Sequence, residues 1–183
     1  MKPFCLALLL ASALPAQAEE NFGKETTATA KAIVAVLASA CQAKEQFDEN
    51  AAAWEACRDA LLKPDFAKLF ATAIPWGALE PGVPIWEKKL KALDSAALRG
   101  EYLPMFAFSG GSAMAHEANG SMVVLKVHAR FRKFMPVTAH KNAPYELAKD
   151  NWKLNELVFR IDPATALVWT VMYAEDAEAP VKP

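Results

Sequence analysis

The stretch that decides the fold begins with SMVVLKVHARFRKF, residues 121–134, and continues to Ala174. Apolar and polar residues alternate through its first part. This alternation predicts a β-strand, because successive side chains of a strand point to opposite faces of a sheet. One predicted face is apolar and carries Val123, Leu125, Val127, Ala129 and Phe131. The other predicted face is polar and carries Lys126, His128, Arg130 and Arg132.

The end of this stretch predicts two more strands, joined by a turn that contains a proline. If Asp162 pairs with Leu167, then Arg160 lies opposite Trp169, and Tyr173 lies on the same polar face. The apolar face then receives Leu157, Phe159, Ile161, Val168 and Met172. An apolar face of this kind is typical of an antiparallel sheet that is covered on one side.

Two shorter strands are expected before the long one. They cover about 103–109 and 112–118, and Gly110-Gly111 forms a bend between them. Asn119-Gly120 predicts a two-residue type I′ turn, because both residue types tolerate the positive φ angles of that turn. This turn pairs His116 with Val123 and leads into the long strand.

Helical periodicity dominates the chain upstream of the strands. The predicted helices cover about 27–46, 48–63, 65–73 and 84–100. Asp48 or Asn50 can cap the second helix, and Pro64 ends it. The prolines and glycines from Pro75 to Pro84 predict an extended linker, in which Trp76 inserts into the core.

The first residues form a predicted export signal, residues 1–18, with a positive Lys2, an apolar run and Ala-Gln-Ala at its end. We expect residues 19–183 to form one domain. Without Lys2, the 20 basic residues become 19 against 21 acidic ones, a net charge of −2. This balance predicts no attraction to nucleic acid. No later stretch has the ~20 apolar residues of a membrane span, so the location predicted is periplasmic or secreted.

Two cysteines, Cys41 and Cys57, remain after the predicted cleavage. They lie at equal distances from the turn expected near Glu49, so an antiparallel helix pair would place them level with each other. In an oxidising compartment two such cysteines favour a disulfide bond. We therefore predict that this bond links the first two helices.

The predicted polar face is the candidate ligand site. It combines cations and aromatic rings, which can hold an anion or a planar ligand by charge-assisted hydrogen bonds and stacking. The candidate residues are Lys126, His128, Arg130, Arg160, Trp169 and Tyr173. The alternative is a solvated outer face, on which Arg160 packs against Trp169. Glu156 with His128 could also supply an acid–base pair. No metal or cofactor motif occurs, so neither is expected.

These elements predict an α+β fold, in which an N-terminal layer of three to four helices packs on a curved antiparallel sheet of four to five strands. By topology alone this layout resembles the cone-shaped NTF2-like folds and, less closely, the cystatin-like folds. Such folds include both enzymes and binding modules.

Three functions stay open. The leading one is an exported, non-catalytic binding or accessory protein, whose partner is another envelope protein or a small anionic ligand. The second is a small enzyme that uses the polar face as its pocket. The third is an inhibitor or immunity protein that acts through the loop Val137–Asn151.

Overall fold

The structure is a computed structural model and describes residues 22–42, 50–79, 91–132, 134–138 and 154–175. The predicted export signal, most of the loop Val137–Asn151 and the start of the predicted fourth helix lie outside these ranges. The helices within them are α1 (Lys24–Ala40), α2 (Ala51–Leu62), α3 (Pro64–Ala67) and α4 (Ser95–Ala97). The strands are β1 (Ala73–Leu79), β2 (Lys91–Asp94), β3 (Phe106–His116), β4 (Val123–Phe131), β5 (Leu154–Asp162) and β6 (Leu167–Glu175).

The described strands form one mixed sheet in the order β2-β1-β6-β5-β4-β3. Neighbouring strands are antiparallel, except that β1 runs parallel to β6. The predicted α+β class is therefore confirmed. The prediction of four to five strands in a purely antiparallel sheet is wrong, because the sheet has six strands and one parallel pair.

The helices cover one face of the sheet, which we call the inner face. From the helices Ile33, Leu37 and Leu61 reach the shared core, and from the sheet Leu125 and Phe159 meet them. The alternation of β4 places these sheet residues correctly, because residues two apart lie on one face. The predicted apolar face of β4 is thus the one that the helices bury.

The disulfide between Cys41 and Cys57 is confirmed and fastens the end of α1 to the middle of α2. The two Cα atoms are 4.8 Å apart, and both cysteines are fully buried. Asn50 caps α2, since its side-chain oxygen accepts a hydrogen bond of 2.9 Å from the backbone N–H of Ala52. The turn expected to join the two helices lies outside the described residues.

The third predicted helix is largely wrong, and the fourth is wrong over Lys91–Asp94 but helical from Ser95 to Gly100. The helix predicted over 65–73 ends at Ala67, because the following residues pair with the sheet: the N–H of Ala71 donates to the carbonyl of Val168. Residues Lys91–Asp94, predicted to be helical, form strand β2 instead. Their backbone pairs with β1, and tertiary pairing of this kind overrides a helical pattern.

The predicted linker after α3 contains strand β1, and Pro75 lies inside it. Pro75 is tolerated there because the pairing of β1 with β6 begins only at Trp76. The prediction that Trp76 inserts into the core is confirmed, since this side chain is fully buried.

The hairpin of β3 and β4 has the predicted register, with His116 opposite Val123. The predicted turn type is wrong. Of the two turn residues only Gly120 has a positive φ, of 69°, whereas a type I′ turn requires positive φ at both. The two predicted strands before it are one strand, β3, with an irregularity at Gly110-Gly111.

Candidate functional site

The register of β5 and β6 changes the predicted polar site. Asp162 pairs with Leu167 as predicted, but a bulge follows and Arg160 lies opposite Thr170. A bulge adds one residue to one strand and so moves every later residue of that strand to the other face. Tyr173 therefore lies on the inner face, where it is 1% exposed. Its predicted place on the polar face is wrong.

Trp169 is the residue at the bulge. It is 47% exposed, and its indole N–H donates to the hydroxyl oxygen of Thr165 at 3.3 Å. The predicted cross-strand stacking of Arg160 on Trp169 is wrong, because the bulge puts Thr170 in that position. Trp169 thus belongs to the end of the hairpin rather than to the middle of the sheet face.

On the outer face of the sheet, opposite the helices, two of the predicted cations, Arg160 and Lys126, form ion pairs with described carboxylates. Arg160 holds Glu117 with two nitrogens, Nη2 at 2.6 Å and Nε at 2.5 Å from the carboxylate oxygens. Lys126 lies 3.2 Å from Glu156. Because two of the predicted anion-binding cations already have a carboxylate, they have less to offer to a ligand anion.

His128 and Arg130 also point to the outer face, where His128 is exposed and Arg130 is half-buried. His128 lies opposite Glu156 in the register, so the predicted acid–base pair is brought together, although the carboxylate of Glu156 is engaged by Lys126. His128 also closely faces Gly111, where a Cβ atom would be 3.1 Å from its Nδ1.

Arg132 was expected on the polar face and is instead 2% exposed. It follows the last residue of β4, so the strand alternation no longer applies to it. Its Nε donates to the carbonyl oxygens of Pro104 at 2.7 Å and Phe106 at 3.2 Å. Arg132 therefore has a structural role in anchoring the segment before β3.

A cleft lies between α2 and the segment that follows β2, and we call it the α2 cleft. Its volume is about 620 Å³, within the range of ~300–1,000 Å³ that is usual for small-molecule sites. The described part of its wall consists of Trp54, Arg58, Leu62, Asp94, Ala96, Ala97, Gly100, Glu101 and Thr138. Most of these residues are apolar, and the three charged ones, Arg58, Asp94 and Glu101, are exposed to water.

The far wall of the cleft is a five-residue π-helical turn, Leu98–Tyr102. Turns of this type are rare and are frequent at functional sites. Gly100 lies in it without a positive φ, so its backbone conformation does not require glycine. An added Cβ at this position would be 3.1 Å from a methyl carbon of Leu62, a close contact that Leu62 would have to relieve by moving. Glycine thus allows the π-helical turn to approach α2 closely.

Arg99 links the π-helical turn to the end of α2. Its Nη1 donates to the carbonyl oxygen of Leu61 at 2.8 Å, and its guanidinium lies 6.0 Å from the ring of Phe70. Burial lowers the pKa of Arg99, and the charge of Asp94 partly opposes this shift. Burial raises the pKa of the neighbouring Tyr102, and the charge of Glu101 raises it further. The base of the cleft is therefore tied to α2 by Arg99, and one guanidinium and two carboxylates lie at its rim.

Trp54 and Arg58 form the α2 side of the cleft, one helical turn apart. The guanidinium carbon of Arg58 lies 5.7 Å from the ring centre of Trp54, a cation–π arrangement. Trp54 is 7% exposed, and no described residue accepts a hydrogen bond from its buried indole N–H. Such an unpaired donor costs about 1–3 kcal/mol and is rare enough in native proteins to require an explanation.

Sequence reasoning missed the α2 cleft. The available signal was the pair Trp54 and Arg58, since residues four apart on a helix are neighbours. The opposite wall comes from a segment about 40 residues later in the chain, which had been predicted as an ordinary helix. No pattern within α2 could reveal that wall.

A second, smaller groove of about 280 Å³ lies between α1 and strand β3. Ala30, Val34 and Ala35 line its helix side, and Ala113 and Met114 line its strand side. Its lining is apolar with Lys31 as the one charge among the described residues. It offers few polar groups that could orient a ligand.

Among the described residues there is no group of three or more His, Cys, Asp and Glu side chains that could hold a metal ion. No described helix is long and apolar enough to cross a membrane. No protein-family model and no curated protein sequence matches this chain. The candidate site is therefore argued from its geometry alone.

Proposed function

We propose that this chain is an exported, non-catalytic binding protein, and that its ligand occupies the α2 cleft. The observation that carries the proposal is the cleft itself, with its volume of about 620 Å³, an apolar lining and charged groups at the rim. Apolar walls with a few placed polar groups are typical of small-molecule sites.

The rim residues favour binding over catalysis. Asp94 already accepts a hydrogen bond of 2.6 Å from the backbone N–H of Ala96, and Glu101 is exposed to water. Arg58 is held by stacking on Trp54, an arrangement that positions a cation for recognition.

Export is part of the same proposal. The buried disulfide between Cys41 and Cys57 supports it, because stable disulfides are typical of proteins outside the reducing cytosol. The predicted signal of residues 1–18 points the same way. The cone-shaped NTF2-like or cystatin-like arrangement also remains a proposal, resting on helices that cover one face of the sheet.

Binding of a fluorescent apolar anion, 1-anilinonaphthalene-8-sulfonate, tests the proposed site. Ala96 is exposed at the cleft, so Ala96→Trp should fill the cleft without disturbing the core. The matched control is Ala164→Trp, at an exposed alanine of the turn between β5 and β6. We expect saturable binding to the wild type and to the control, and a loss of about tenfold or more in Ala96→Trp. Equal affinity in both variants would contradict the proposed site.

A further inference from the structure

We propose that the ligand of the α2 cleft is a short apolar peptide with both termini free. This inference rests on the proposed function, since it names the ligand of that same cleft. Its starting point is the charge at the rim, where one guanidinium and two carboxylates surround an apolar lining. A free peptide carries the two opposite charges and the apolar side chains that such a surface complements.

Arg58 supplies the group that would bind the peptide carboxylate. Three other arginines, Arg99, Arg132 and Arg160, each donate a hydrogen bond to a protein oxygen. Arg58 donates to no oxygen of the described residues, and its one described interaction is with the ring of Trp54. The cation–π contact keeps the guanidinium beside the Trp54 ring, and the exposed side chain leaves its donors open to solvent. A carboxylate accepts two parallel hydrogen bonds from such a fork.

Glu101 and Asp94 supply the groups that would bind the peptide ammonium. Neither forms an ion pair with a described lysine or arginine, and both side chains are exposed at the cleft. Asp94 uses one carboxylate oxygen to cap Ala96, which leaves the second oxygen for a ligand. The two carboxylates attract an ammonium group, which a peptide with a free N-terminus carries and a fatty acid lacks.

The body of the peptide fits the rest of the cleft. Leu62, Ala96 and Ala97 give an apolar surface for its side chains, and burial of apolar area drives the association. The cleft volume of about 620 Å³ is larger than the volume of one amino acid and is sufficient for a short peptide.

Calorimetric titration of trileucine tests this inference. Three forms are compared: the free peptide, the N-acetylated peptide and the C-terminal amide. We expect the free peptide to bind most tightly, and each blocked form to bind about tenfold or more weakly, because each loses a charge-assisted hydrogen bond. Thermal unfolding of the protein variants described next checks that each of them is folded.

Two charge variants assign each terminus to its partner. Arg58→Gln should bind the free peptide and the amide with equal affinity. In Glu101→Gln, the difference in affinity between the free and the acetylated peptide should be smaller than in the wild type. The matched controls are Arg130→Gln on the outer face and Glu55→Gln on α2, which should keep the wild-type ranking.

Each outcome decides between the two proposals. Equal binding of all three peptide forms, or no binding of trileucine, would overturn the peptide inference. If trileucine fails this test but 1-anilinonaphthalene-8-sulfonate binds the wild type and not Ala96→Trp, the cleft remains the ligand site. Only the proposed ligand class is then wrong. If neither probe binds the wild type, both proposals fail.

Discussion

Single residues decide where the polar groups of this protein lie. Trp169 at the bulge moves Tyr173 from the outer face into the core. One extra residue is enough, because side chains of a strand alternate with a period of two. The same shift separates Arg160 from Trp169, and Arg160 binds Glu117 instead. A hairpin register inferred from the turn alone cannot show such a bulge, since the bulge depends on packing further along the strands.

Gly111 gives a prediction at the same scale. Its φ is +83°, and an added Cβ would lie 3.1 Å from Nδ1 of His128. Gly110 is the matched control, since its φ is +93° but an added Cβ would meet nothing within 4 Å. We expect Gly110→Ala to lower the free energy of unfolding by about 1–2 kcal/mol, and Gly111→Ala to lower it further.

Chemical denaturation measures both variants, alone and combined with His128→Ala. Without the imidazole, the two alanine substitutions should cost the same. An equal cost of Gly110→Ala and Gly111→Ala in the presence of His128 would show that the imidazole moves away freely, and that the backbone conformation alone requires these glycines.

At the scale of elements, local patterns predicted local structure. The structure confirmed the alternation of β4, the capping of α2 by Asn50 and the disulfide between Cys41 and Cys57. Each of these predictions depends on residues that are close in sequence. Strand β1 was missed because its pairing partner β6 lies about 95 residues later. The π-helical turn was missed for a related reason, since its wide hydrogen-bonding pattern leaves no periodic signal.

The disulfide between α1 and α2 gives the prediction for elements. It closes a loop with a sequence separation of 16 residues, for which the chain-entropy relation gives about 3 kcal/mol of stability. We expect a reducing agent to lower the denaturation midpoint of the oxidised protein by a corresponding amount. The double variant Cys41→Ala, Cys57→Ala should start at the lower midpoint and not respond to the reducing agent. An unchanged midpoint of the wild type after complete reduction would contradict this expectation.

At the scale of the whole molecule, two candidate binding surfaces compete. The outer face of the sheet was predicted from the alternation of β4, and two of its cations are paired with carboxylates in the structure. The α2 cleft could not be predicted, because its walls come from α2 and from a segment beyond β2 that are distant in sequence. A cleft results from the packing of elements, and the charged residues at its rim come close together only in the folded protein.

The most direct test of the cleft as the ligand site is nuclear magnetic resonance of the tryptophan indole N–H groups during titration with 1-anilinonaphthalene-8-sulfonate. Trp54 lines the α2 cleft, and Trp169 lies at the end of the hairpin of β5 and β6. The variants Trp54→Phe and Trp169→Phe assign the two signals. We predict that the Trp54 signal shifts in a saturable manner while the Trp169 signal stays in place. A saturable shift of the Trp169 signal with an unchanged Trp54 signal would contradict the account.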